Sequence, residues 1–278
     1  MDIPSAAEIS DAVRTVFARA NEQEPERLLS ALVAVRRILL QNTPYKEIPY
    51  VLDYEMVELC KFVNQFRRAM NDLPLDEETR LGVVIYCHIM EADFPYAVCR
   101  NLVSVILGQP CHWVFYAVNE DGQIKVNKKG EKIVCRYAGE KIKEMKRMAE
   151  TAGMAIGKVL ERLWSGAIRN AFSHSQYVIE DTGGFTLSKR LDVTASNDQR
   201  AATEPIYFTP EEIKYMSEGA QALLRAFIDA HKAYTRPYRN ASPQKTDCGL
   251  IRWDMRHQQW VWSEASPWRA VIYHLAHY

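Results

Sequence analysis

The chain has 278 residues, 47% of them apolar and 25% charged, enough to bury the core of one large domain or of two. Lys plus Arg (35) equals Asp plus Glu (35), which excludes a whole-surface polyanion binder but leaves room for a local basic groove. There is no run of about 18 apolar residues, and MDIPSAAEISDAV lacks a basic segment followed by an apolar one, so the expectation is a cytoplasmic protein with no membrane span and no secretory leader.

Ile9, Val13, Val16 and Phe17 recur at helical spacing and predict a first helix over 5–20, with Ser5 or Asp2 as its cap. Leu28, Leu32, Val35 and Leu39 predict a second over 25–41, ended by Asn42-Thr43-Pro44. Longer helices follow over 50–71 and 76–108, and Asp93-Phe94-Pro95 kinks or splits the latter, because proline cannot donate a backbone hydrogen bond. Aromatic and β-branched residues then alternate with turn residues, predicting a small antiparallel insertion near 112–135. Helix resumes over 139–164, and Ser165 is placed to cap a fresh helical turn carrying Arg169 to His174. A hairpin is expected over 177–187, turning at Thr182-Gly183-Gly184, then a polar loop over 192–204. Thr209-Pro210-Glu211-Glu212 opens a strong helix to about 234. Beyond it, alternation around Trp253, Trp260 and Trp262 predicts a Trp-rich hairpin.

The six cysteines, Cys60, Cys87, Cys99, Cys111, Cys135 and Cys248, form no CxxC pair and read as free thiols in a reducing compartment. Cys111-His112 is half a metal site with no second half, so neither a metal nor another cofactor is expected.

The chemistry concentrates in Arg169-Asn170-Ala171-Phe172-Ser173-His174. Asn170 and His174, four apart, share a helix face, while Arg169 lies about 140° from His174 and reaches around by its length. Guanidinium, carboxamide and imidazole together suit phosphodiester chemistry: arginine presents a fixed fork of donors to phosphate, and imidazole accepts and returns protons near neutral pH. The plain structural reading of the same residues is a surface charge, a helix-end asparagine and a C-terminal cap.

The string Ala167 to Tyr177 closely resembles the motif of the HEPN superfamily (higher eukaryotes and prokaryotes nucleotide-binding), helical bundles with Arg-x4–6-His and often asparagine after the arginine. The resemblance covers about 139–235, with helices from 50–108 completing the bundle, and implies a HEPN-like bundle with its β insertion (73–235). The N-terminal helical region (1–72) and the C-terminal β-hairpin appendage (236–278) lie outside it, and the chain as a whole is expected to be mainly α. It implies a metal-independent endoribonuclease, a toxin or phage-defence effector by analogy, in which His174 is the general acid/base, Arg169 holds the scissile phosphate and Asn170 positions one of them. The alternative is a non-catalytic RNA- or nucleotide-binding regulatory protein. The tyrosine that related members carry two residues past the histidine is replaced here by Gln176.

Partners implied are RNA or a nucleotide, a neutralising antitoxin or regulator, and a second copy of the chain. A homodimer would build a composite site from two motifs, with Trp164, Ile168, Phe172 and Tyr177 as candidate contacts, although core is the stronger reading for Ile168 and Phe172. Lys141, Lys143, Lys146 and Arg147, within the basic stretch 125–147, and Tyr177 are candidates for RNA binding, against the equal reading of a solvated helix face.

Overall fold

The computed structural model describes residues 2–24, 27–28, 31–32, 59–66, 73–111, 115–117, 119, 123–187, 206–240, 250–254 and 259–263. They are mainly helical. Helix α1 (Ala6–Gln23) begins at a reciprocal capping box: Ser5 Oγ accepts from the Glu8 N–H at 3.2 Å, and the Glu8 carboxylate accepts from the Ser5 N–H at 2.8 Å. Its stripe of Ile9, Val13, Val16 and Phe17 is buried. The helices expected over 25–41 and 50–71 lie outside the described residues except at 27–28, 31–32 and 59–66, which are helical.

The pattern over 76–108 forms two helices, α2 (Leu75–Glu91) and α3 (Asp93–Ile106), divided at Ala92. Pro95 sits in the first turn of α3, where a missing N–H leaves no helical bond unmade.

The helix expected over 139–164 is corrected: it is a hairpin of α4 (Ala138–Thr151) and α5 (Ile156–Leu163). Gly153 takes φ 66°, its N–H bonds the Glu150 carbonyl at 3.1 Å, and the Met154 N–H bonds the Ala149 carbonyl at 2.8 Å. These two bonds form a Schellman closure, which satisfies the last carbonyls of α4 and turns the chain back. Gly157 then lets α5 lie tight on α4, since a Cβ there would sit 2.6 Å from the Lys146 Cα.

Helix α6 (Gly166–Ser173) is followed by a three-stranded antiparallel sheet, β1 (Tyr177–Ile179), β2 (Phe185–Leu187) and β3 (Ile206–Phe208), with β2 central. The expected hairpin is β1–β2, and β3 is an addition to it. Register places Ile179, Phe185 and Phe208 side by side on the inner face, with Val178, Thr186 and Tyr207 on the other. The long α7 (Pro210–Asn240) starts at a second capping box between Thr209 and Glu212 and packs along α1 and α2.

The insertion near 112–135 is antiparallel but made of isolated bridges, Tyr116 with Val134 and Val126 with Lys132. Buried Phe115 and Cys135 attach it to the core, and the buried Arg100 guanidinium lies 5.0 Å from the Phe115 ring. The C-terminal hairpin pairs β4 (Leu250–Asp254) with β5 (Gln259–Ser263), Trp253 opposite Trp260. Among the described residues no helix is long and apolar enough to cross a membrane.

Candidate functional site

Ile168 and Ala171 are buried and seat α6 on α2 and β2, which turns its polar residues outward. Ser165 caps the helix as expected, its Oγ accepting from the Ile168 N–H at 3.3 Å. The break before it is pinned from α2. The Tyr86 hydroxyl accepts from the Ser165 N–H at 2.6 Å and donates to the Leu163 carbonyl at 2.9 Å. Burial pushes the Tyr86 phenol well above its ordinary range, so it stays protonated and keeps donating.

The other end of α6 closes on the motif itself. His174 is the C-cap, its N–H bonding the Asn170 carbonyl at 3.0 Å. The Ser175 N–H bonds the Phe172 carbonyl at 3.2 Å, and the Gln176 N–H bonds the Ala171 carbonyl at 2.8 Å. This is the closure that ends α4, but with Ser175 at φ 51° where α4 has a glycine. A Cβ in that conformation costs about 1–2 kcal/mol.

Three segments meet around Arg169: α6 itself, the end of α2 and the residue before α4. Its Nε donates to the Glu91 carboxylate at the end of α2 in an ion pair, and its Nη1 donates to Asn170 Oδ1 at 3.2 Å. The Tyr137 ring, just before α4, lies 5.9 Å from its Cζ. The remaining Nη hydrogens have no hydrogen-bond partner among the described residues, and the Arg169 side chain is 24% exposed. Asn170 and His174 are exposed, and the His174 imidazole has no hydrogen-bond or ion-pair partner among the described residues. The structure joins Arg169 to Asn170 by a hydrogen bond, whereas among the described residues no contact links the His174 imidazole, at the end of the same helix, to either of them. Among the described residues no cluster of three or more His, Cys, Asp or Glu is placed to hold a metal.

Sequence reasoning missed Glu91. A carboxylate in the last turn of a helix opposes the macrodipole, and such a residue beside a helix break signals a cationic partner elsewhere.

The candidate RNA-binding residues are spread more widely. Lys141 is buried and ion-paired with Asp93, the first residue of α3. Lys146 pairs with Glu161 at 2.8 Å, and Arg147 with Glu144 at 2.8 Å. Lys143 is exposed. Tyr177 is half-buried, stacked against Phe185 (centroids 4.9 Å) and Phe172 (6.3 Å), so it belongs to the packing beneath the sheet. Of the proposed dimer contacts, Ile168 is wholly buried and unavailable to a second molecule, and the Trp164 indole lies against Gly139 and Gly166. A small depression lined by Leu75, Thr79, Pro210 and Ile213 lies on the first half of α2, away from Glu91 at its end, and shares no residue with the site.

The chain matches no protein-family model, no curated protein and no solved structure.

Proposed function

We propose that the protein is an endoribonuclease of HEPN type whose nucleophile is the RNA's own 2′-hydroxyl. The supporting observation is the presentation of Arg169: Glu91 and Asn170 hold two of its donors, others stay open, and the His174 imidazole stands at the end of the same helix. Arg169 binds the scissile phosphate and stabilises the charge that builds on its oxygens. His174 accepts the proton of the 2′-hydroxyl as that oxygen bonds to phosphorus, or returns a proton to the departing 5′-oxygen. The products are a 2′,3′-cyclic phosphate and a 5′-hydroxyl. Because the nucleophile belongs to the substrate, the step requires neither a metal nor a covalent enzyme intermediate.

One imidazole serves poorly as base and acid at the same moment, so the proposal includes a closed two-fold dimer that sets a second motif opposite the first. A role as toxin or defence effector in the cytoplasm, held in check by a neutralising partner, fits such an activity. The Glu91 ion pair favours a second reading, a non-catalytic RNA- or nucleotide-binding module, because it already satisfies part of the guanidinium.

The test is digestion of single-stranded RNA by the pure full chain in excess chelator, with solution mass by sedimentation. Cleavage leaving cyclic phosphate ends, lost in both Arg169→Ala and His174→Ala, and a dimeric mass are expected. Cleavage only with magnesium, or full activity in both variants, overturns the nuclease reading. RNA binding without cleavage selects the second reading, and full activity in a strict monomer removes the composite site.

A further inference from the structure

Tyr137 is unusual among the aromatic residues near the site. It is 60% exposed, although it directly precedes a helix packed into the core. Its backbone is fixed: the Glu140 carboxylate accepts from the Arg136 N–H at 2.8 Å and from the Tyr137 N–H at 3.4 Å, and the Tyr137 carbonyl accepts from the Glu140 and Lys141 N–H groups at 3.0 and 3.1 Å. Lys141, one turn on, is buried against Asp93 and anchors the start of α4 beside the end of α2. The ring is therefore carried on a rigid support, yet it is left largely in solvent beside the Arg169 guanidinium.

Burial does not account for that exposure, and the contact with Arg169 is at the outer range for a cation–π pair, so it holds the ring only weakly. An open aromatic face within one nucleotide's reach of a phosphate-binding arginine has the two elements that recognise unstacked single strands, a backbone contact and a stacking platform.

We infer that Tyr137 is the base-stacking platform of the site. The nucleotide flanking the scissile phosphate stacks its base on the Tyr137 ring, which limits the substrate to single-stranded or unpaired RNA. Tyr137 is then a positioning and specificity residue that tolerates any base, since every base offers a π-face. The inference rests on the ribonuclease reading and adds the substrate class to it.

The experiment measures binding of a short fluorescein-labelled single-stranded RNA, and of the same sequence as a duplex, to the full chain carrying His174→Ala, so that nothing is cut. Adding Tyr137→Ala or Tyr137→Leu is expected to weaken single-strand binding about tenfold, within the range of one stacked base. Tyr137→Phe and Tyr137→Trp are expected to retain it. Leucine keeps the apolar bulk without the π-face, which separates stacking from packing, and far-UV circular dichroism reports whether each variant folds. In the catalytically intact chain, Tyr137→Ala raises KM more than it lowers kcat. Unchanged binding in Tyr137→Ala, an equal loss in Tyr137→Phe, or duplex binding as tight as single-strand binding overturns the inference while leaving a cleaving enzyme intact. A chain with Tyr137 present that neither binds nor cuts RNA overturns the ribonuclease reading and this inference together.

Discussion

Replacing Glu91 by alanine separates the positioning of Arg169 from the stability of the fold. A sheltered charge-assisted hydrogen bond contributes about 1.5–3 kcal/mol, and an exposed ion pair about 0.2–1 kcal/mol. Arg169 and Glu91 are 24% and 34% exposed, so their pair falls between these limits, near 1.4 kcal/mol. If that bond holds the guanidinium on the phosphate, its loss slows cleavage about tenfold. Global stability changes less, by about 0.4–1.1 kcal/mol, because Glu91→Ala also removes a carboxylate from the negative end of α2, a relief of about 0.3–1 kcal/mol. Single-turnover cleavage of end-labelled RNA gives the rate, and urea unfolding gives the stability. The decisive measurement is a double-mutant cycle with Arg169→Lys, which keeps the charge but not the planar fork. In the lysine background Glu91→Ala should cost little further. A wild-type rate in Glu91→Ala, or the same tenfold loss in both backgrounds, refutes the positioning argument.

Ser175→Gly removes the left-handed strain at the end of α6 and should stabilise the fold by about 1 kcal/mol, read from the urea midpoint at unchanged slope. A lower midpoint would mean that the serine is held there by contacts of its own. Burial pushes the Cys111 and Cys135 thiols up to about 11, so at pH 8 native protein should resist iodoacetamide at both positions and label them in urea. Peptide mass spectrometry reads this, and equal labelling in the two conditions would contradict the burial of these thiols.

Much of the architecture was legible because its signals are local. The stripe Ile9, Val13, Val16 and Phe17 repeats at helical period, Ser165 and Thr209 are capping residues at the positions they occupy, and Thr182-Gly183-Gly184 turns a hairpin. The α4–α5 break was not read, because the apolar period runs on through Met154, Ile156 and Val159. Its cause is the pair of closing bonds around Gly153, which a periodicity does not register. Strand β3 escaped for a related reason: three residues at the edge of a polar loop become a strand only when β2 offers a pairing edge. At the site, Arg169, Asn170 and His174 stood out through the resemblance of the string around them to a known motif, not through their spacing, whereas Glu91 and Tyr137 lie 78 and 32 positions from Arg169 and are joined to it only by folding. The ion pairing of Lys141 and Lys146 was hidden in the same way, since Asp93 and Glu161 are remote from them in the chain, whereas Arg147 pairs with Glu144 only three residues before it.

The Tyr86 hydroxyl, which stitches the end of α5 to the start of α6, stands on α2 five residues before Glu91. One helix therefore grips α6 at two points, by its leading edge through Ser165 and by the Arg169 side chain. In mechanical terms the site is a passenger on α2. A slide or rotation of α2 carries the arginine with it through Glu91, while the start of α4 meets the same guanidinium through the Tyr137 ring. Because α7 lies along α2, a displacement of α2 must be accommodated by α7 as well.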